Sequence, residues 1–528
     1  MNESSLATPV PLQQVALLLN PQDDVAIARA DLAPGTVLIL EGGDQTGTHI
    51  PLRQPIPAGH KVALRGIVVG GPVHRYGQVI GFATQIIAPG DHVHTHNLGV
   101  QAFSREYSCG DCGPIPTVPG DSQRSFLGYQ RPDGQVGTRN YLAVIASVNC
   151  SAHATQQIAR HFSPDRLAAH PNVSGIVAFT HPSGCTTGTG SPDHVLLQRT
   201  LAGIARHPNI GATLIVGLGC ETNQIPALIE EYDLTGDSQD SQSQPISTLT
   251  IQDAGGIRKT IQAGIALVEE MLPTVNAARR TSQPISGLKI ALQCGGSDGW
   301  SGVTANPLVG LVSDEVVRQG GTIVLAETPE IYGAEHLLAQ RAASPQVCQQ
   351  LVDKVRWWEQ HTQRLGAEIN NNPSPGNKEG GLTTIYEKSL GAIAKGGSTP
   401  LMAVYGYAEP VTGQGLTFMD SPGNDPVSVT GQMASGCNLV LFTTGRGSVF
   451  GSKPAPTIKV CSNSRTYQRM QDDMDFNAGV VLEGTDMQLA AAQLLDLVID
   501  VASGQPSKSE AQGLGELEFN PWNLGGTL

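Results

Sequence analysis

A chain of 528 residues is too long to fold around one hydrophobic core, so roughly two to four domains are expected. Its 32 basic and 46 acidic residues leave a formal charge of -14, which argues against nucleic acid or an anionic membrane surface as the main partner. A small anionic substrate stays open, because it needs only a local basic pocket.

The first ~100 residues read as a small all-β domain. Short apolar stretches such as "TVLIL", "KVALRGI" and "GFATQII" alternate with the turns "LAPG", "IPAG" and "IAPG". The one helix-like stretch is "NPQDDVAIARADL". The segment "GDHVHTHN" then sets His92, His94 and His96 at every second position. On a strand they would share a face, as a metal site or as a polar strand edge. Next, "YSCGDCGPIPTVPGDSQRS" is rich in Gly, Pro, Ser and Asp and reads as an interdomain linker. Its Cys109 and Cys112 form a CxxC with no partner pair, which is a weak zinc signal.

From Tyr141 the pattern changes. The apolar runs "YLAVIASV", "GIVAFT", "TLIVGLG" and "STLTIQ" each precede a helix-like stretch, as βαβ units in a parallel sheet do. A second such region begins near Leu288 with "KIALQ" and "TIVLAE". It continues through "LMAVYGY" and "NLVLFTTG", and a helix over about 487–502 closes it.

Ligands of open parallel sheets bind at the carboxyl ends of the strands. Cys150, Cys185, Cys220 and Cys294 each follow a predicted strand, so four thiols are expected at one edge. Thiolates suit iron or zinc. A buried packing role is the alternative for any one of them. His181 and Glu221 follow strands too and are acid–base candidates; ordering a turn and capping a helix are their structural alternatives. Asp298 has a similar capping alternative. Arg139, Lys378 and Arg446 lie in Gly-rich loops, where a guanidinium or ammonium could hold a carboxylate. The cysteines lie far apart and "VALLLN" lacks a basic flank, so reduced thiols in a cytoplasmic protein are expected.

"GYQRPDGQVGTRNYLAVIASVNC", "THPSGC", "GLGCETNQ", "QCGGSDGWSGVTANP", "ETPEIYGAEHLL", "NPSPGNKEGGLTTIYEKSLG" and "FTTGRGS" together resemble the altronate/galactarate dehydratase family. The resemblance runs from about residue 13 to the end. It implies an SAF-type β-clip domain over 13–98, a linker over 99–128, and two α/β regions with mainly parallel sheets over 129–280 and 285–528. It also implies a hydro-lyase that converts a sugar acid to a 2-keto-3-deoxy acid with Fe2+ or Mn2+, a mononuclear ion being preferred to an iron–sulfur cluster. "GDHVHTHN" looks like the altronate-type segment, which favours an aldonate. Galactarate, sulfolactate and a non-catalytic sugar-acid-binding role are the alternatives, and a homo-oligomer is left open. The expected metal ligands are His94, His96, Cys150, Cys185, Cys220 and Cys294, with His92 outside the site. His181, Glu221 and Arg446 are the expected catalytic residues. Arg139, Lys378 and Asp298 are expected to bind substrate.

Overall fold

The computed structural model describes residues 9–41, 47–101, 105, 107–110, 112, 115, 117, 123–235 and 244–525. The linker expected over 99–128 lies partly outside these residues.

The N-terminal region is a set of small sheets. A four-stranded one runs in the order Ala16–Leu17, Val25–Ala28, Lys61–Ala63, His92–Val93. "VAIA" is therefore a buried strand, not part of a helix: all four residues face packed surface, so no helical polar face exists. Two turn glycines set up the strands that matter below. Gly59 has φ +81° and Gly90 has φ +87°, and a Cβ on Gly90 would stand 2.1 Å from the Pro51 carbonyl oxygen. Only glycine fits such a position, and the chain leaves each turn into His60–Lys61 or Asp91–His92.

Two parallel sheets follow. The first contains β1 (Tyr141–Ala146), β2 (Gly175–Phe179), β3 (Ile210–Gly217) and β4 (Ile246–Thr250) in the order β2-β1-β3-β4. The second contains β5 (Lys289–Cys294), β6 (Thr322–Ala326), β7 (Leu401–Tyr405), β8 (Gly415–Met419), β9 (Leu439–Thr444), β10 (Thr457–Cys461) and β11 (Phe476–Asn477). Its order is β7-β8-β6-β5-β9-β10-β11. All six pairings in it are parallel. Strands β1 and β9 are buried along their whole length and β5 at all but its first residue, Lys289, which explains their apolar runs.

In each sheet the chain leaves the first strand to one side and later returns to its other side. The reversal falls between β1 and β3 in the first sheet and between β5 and β9 in the second. Such a switch point opens a crevice at the carboxyl ends of the two strands.

The cores do not follow the sequence divisions. One apolar cluster joins Val25, Ile67, Val73, Ile80, Ile87 and Val93 of the N-terminal region to Leu308, Leu325, Leu390 and Leu441 of the last. A second joins one face of the first sheet to one face of the second. Strand Ser125–Gln130 pairs with Thr281–Pro284, so the chain on either side of the first parallel sheet is stitched together. Cys109 forms a disulfide with Cys348, so these two cysteines are bridged and the expectation of wholly reduced thiols fails for them. Among the described residues, no helix is long and apolar enough to cross a membrane.

Candidate functional site

The three alternating histidines do not share a strand face. The strand ends at Val93, and Asn97 pins a turn after it: its side-chain amide donates to the His92 carbonyl at 3.0 Å, and its Oδ1 accepts from the His94 N–H at 2.9 Å. The turn leaves His96 exposed, with its ring centroid 5.6 Å from that of His92, and stacks His94 on His92. The third member of the cluster is His60, which sequence reasoning missed. The His60 Nδ1 lies 2.9 Å from the His92 Nε2, and one ligand nitrogen from each of His60, His92 and His94 lies within 4.8 Å of the others. The structure thus groups His94 with His60 and His92, and His96, expected beside it, is not part of that group. A signal was available: "IPAGHKV" and "IAPGDHV" are the same turn followed by a strand, each with a histidine just past its glycine.

Burial pushes His92 down to about 3 and His94 down to about 4, with neighbouring imidazoles and Lys61 adding to the effect. Both rings are neutral at pH 7, and the buried His94 Nδ1 has no hydrogen-bond partner. Neutral imidazoles with a spare nitrogen are the donor set a divalent transition ion takes.

The triad sits where the N-terminal region meets the carboxyl edge of the seven-stranded sheet. His60 Nε2 lies 3.2 Å from the Glu379 carbonyl oxygen. Beside it, the Lys61 Nζ donates to the Gly381 carbonyl at 2.7 Å and to both oxygens of Glu387, at 2.9 and 3.0 Å. Arg75 pairs with the same carboxylate and donates to the Gly299 carbonyl. Burial alone would raise Glu387, but the Lys61 and Arg75 charges hold it down to about 2.

The rim opposite the imidazoles comes from the switch point. After β5, Gly295 and Gly296 turn back, and the Gly296 carbonyl accepts from the N–H groups of Gly445 and Arg446. Arg446 is half exposed and makes a 3.3 Å ion pair with the exposed Glu379. Lys378 is half-buried on the short helix Pro375–Glu379, whose N-terminus is closed by Ser374 and Asn377 in a capping box.

Beneath the glycine turn lies a second cluster, Cys294, Glu327 and Glu330, with donor atoms within 4.8 Å of one another. Glu330 accepts from Lys388 and, at 2.6 Å, from Asn372. Burial and the nearby Glu330 and Asp425 charges hold Glu327 protonated well above the usual carboxylate range. Burial also raises Asp425 to about 6; its Oδ1 accepts from Gln293 at 2.9 Å. Cys294 is buried in this cluster, its thiol pushed up to about 11 by burial. It therefore does not share an edge with the other three cysteines, because it ends a strand of the other sheet.

Cys150, Cys185 and Cys220 do come together. They follow β1, β2 and β3, all three are exposed, and Cys150 is a hydrogen-bond neighbour of Cys185 and feels the Cys220 charge.

Four expected site residues are framework. His181 is buried with both nitrogens occupied: Nε2 lies 2.9 Å from the Ala146 carbonyl, and Nδ1 accepts from the Ser183 N–H at 3.2 Å. Glu221 accepts from the N–H groups of Leu218 and Gly219 and from the Ser147 hydroxyl. Arg139 is buried in a two-pronged pair with Glu510, at 2.6 and 2.7 Å, and donates to the Val501 and Gln505 carbonyls. Asp298 accepts from Trp300, Ser301, Ser462 and Asn463. Each side chain has its hydrogen-bonding capacity taken up, which leaves little for a substrate.

Comparison with known proteins covers the whole organisation. Residues 14–101 match the altronate/galactarate dehydratase SAF domain. Residues 128–276 match the D-galactarate dehydratase/altronate hydrolase second domain, and residues 285–527 match the D-galactarate/altronate dehydratase C-terminal domain. The altronate dehydratase of Bacillus subtilis is 35% identical, over 94% of this chain and 97% of that one. The altronate dehydratase of Escherichia coli is 36% identical, over 94% and 96%. The galactarate dehydratase (L-threo-forming) of Escherichia coli is 35% identical, over 92% and 94%.

Proposed function

This chain belongs to the altronate/galactarate dehydratase family, and we propose that it removes water from an aldonate such as D-altronate to leave a 2-keto-3-deoxy acid. The observation that carries the reading is the imidazole triad set over the Arg446–Glu379 rim. The preference for an aldonate over galactarate rests on the altronate-type segment that supplies His92 and His94.

The reaction takes a proton from C2, which is weakly acidic beside the carboxylate, and expels the C3 hydroxyl. The spare Nδ1 of His94 and the neutral rings beside it fit a single Fe2+ or Mn2+ held by His60, His92 and His94. Such an ion supplies Lewis-acid stabilisation of negative charge that builds on substrate oxygens. The Cys294 cluster suits an ion less well, because Lys388 already neutralises Glu330. Arg446, with Lys378 nearby, meets the substrate carboxylate as a planar fork. Glu379, paired with Arg446, is the carboxylate on the rim that takes the C2 proton. Asp425 keeps a proton close to neutral pH and gives it to the departing hydroxyl. The enzyme acts in the cytoplasm on small anionic sugar acids, with neither nucleic acid nor a membrane as partner.

The test is keto-acid formation from D-altronate, galactarate and sulfolactate by chelator-stripped protein, with Fe2+ or Mn2+ restored. Altronate turnover that needs the ion is expected. Full turnover in metal-free protein overturns the metal, and no keto acid from any sugar acid overturns the activity.

A further inference from the structure

Cysteine is among the residues most often buried, yet Cys150, Cys185 and Cys220 are exposed together. They come from the loops after three adjacent strands, and two of those loops, after β1 and β3, bound the switch point of the four-stranded sheet. That crevice is where open α/β sheets take ligands. A packing role does not account for three exposed thiols at such a place.

The loops are laced into one platform. The Asn149 N–H donates to the Ser183 carbonyl at 3.0 Å, and the Asn223 N–H donates to the Gly184 carbonyl at 3.2 Å. The Thr222 hydroxyl donates to the Cys185 carbonyl at 2.7 Å, and the Asn223 amide donates to the Ser147 carbonyl at 2.8 Å. The framework roles of His181 and Glu221 now acquire a purpose, since each fixes one cysteine-bearing loop. Rigid support of this kind is what a preorganised ligand set needs. A space of about 250 Å3 opens beside Cys185, lined by Pro182, Ser183, Thr186, Thr187, Asp193 and Asn523.

Two other uses of the thiols fit less well. A cysteine nucleophile needs a base within reach, and both nitrogens of His181 are bound to backbone. A single tetrahedral ion with metal–sulfur bonds near 2.3 Å draws its thiolates to about 3.8 Å from one another. The three sulfurs are not among the triads whose donors all lie within 4.8 Å. A cuboidal cluster spaces its cysteines more widely, one on each iron corner.

We propose that Cys150, Cys185 and Cys220 hold an iron–sulfur cluster at this switch point, with three irons bound by thiolate and the fourth open to a small oxygen ligand. The site is separate from the imidazole triad and does not depend on the activity proposed above.

The experiment is anaerobic reconstitution of the full-length chain with Fe2+ and sulfide, followed by iron and acid-labile sulfide analysis, visible absorption and electron paramagnetic resonance. The wild type is expected to take up about four sulfide per chain, with about four iron beyond the one ion the imidazoles hold, and to show a broad visible absorption that bleaches with dithionite. Cys150→Ser, Cys185→Ser and Cys220→Ser should each lose the sulfide and the absorption. His94→Ala should keep both, which separates this site from the imidazoles. Circular dichroism of the apo variants guards against misfolding, and Cys112→Ser serves as a control that keeps the cluster. Uptake of metal without sulfide, uptake indifferent to the three serine changes, or a Cys150–Cys185 disulfide that survives anaerobic reduction would each overturn the proposal.

Discussion

At the carboxyl edge of the seven-stranded sheet, Arg446 and Glu379 lie beneath imidazoles delivered by another domain. At the same edge of the four-stranded sheet, three thiols meet solvent. Both edges are built by the same reversal of strand order, between β5 and β9 in one case and β1 and β3 in the other. Topology thus makes two crevices, and what differs is the cover. Behind the half-exposed Arg446–Glu379 rim the roofed edge buries titratable groups, and carboxyls such as Glu327 and Asp425 keep protons that water would strip. The open edge has polar groups spent on holding its own loops.

The largest test of this contrast is to loosen the roof. Lys61→Met leaves Glu387 with one cationic partner instead of two, and removing one partner of a buried pair costs about 3–5 kcal/mol. Equilibrium urea unfolding should show that loss, against a small one for a surface lysine. The same carboxylate sets an acid limit. Its folded pKa is depressed to about 2 from 4.5, so its stabilisation is complete above pH 4.5 and is lost as pH falls toward 2. Stability measured between those values should fall less steeply in Lys61→Met than in the wild type.

Next in size, His94→Ala should cut kcat/KM by more than the ~100-fold that losing an outer partner of a metal site costs, and iron content should fall with it. If turnover survives in His94→Ala, the roofed edge is not where chemistry happens. Arg446→Lys should lower kcat/KM about 10- to 150-fold, as expected for losing a charge-assisted contact worth ~1.5–3 kcal/mol, with no change in melting temperature. Unchanged kinetics would return Arg446 to its pair with Glu379 alone. The smallest effect belongs to His96→Ala, with normal turnover and stability within about 0.5 kcal/mol. A large effect there would mean that the turn at Asn97 rearranges in use.

Strands with both faces covered were plain in the sequence, because burial removes every polar interruption: "YLAVIASV" and "NLVLFTTG" became β1 and β9. Strand β8, "GLTFM", is as buried, yet it is short and enclosed by Gly and Asp, and the sequence does not single it out. Cysteines after strands located the open edge, since each strand end is a local feature. The roofed site was half legible. Sequence spacing treated His92, His94 and His96 as one strand, and the tertiary partner His60 lies 32 residues away. Glu327, Lys388 and Asp425 carry no local signature; only folding brings them under the Gly295–Gly296 turn. Arg139 and Asp298 show the converse: polar residues in glycine-rich loops look like substrate ligands in the sequence, while in the fold they close those loops.

The apolar cluster that runs from Ile67 and Val73 into Leu308 and Leu390 makes the N-terminal region part of the last region's folding unit, although some 200 residues of chain separate them. Cooperativity follows packed surface, not order along the chain. Differential scanning calorimetry should therefore show these two parts absorbing heat in a single transition. Truncation before residue 123 would bare the apolar face of the helix Ile385–Ile393 along with an ionised Glu387 stripped of both its cations. Such a fragment exposes what chaperones bind, so the N-terminal region acts for its neighbour as a built-in folding partner as well as the bearer of His60, His92 and His94.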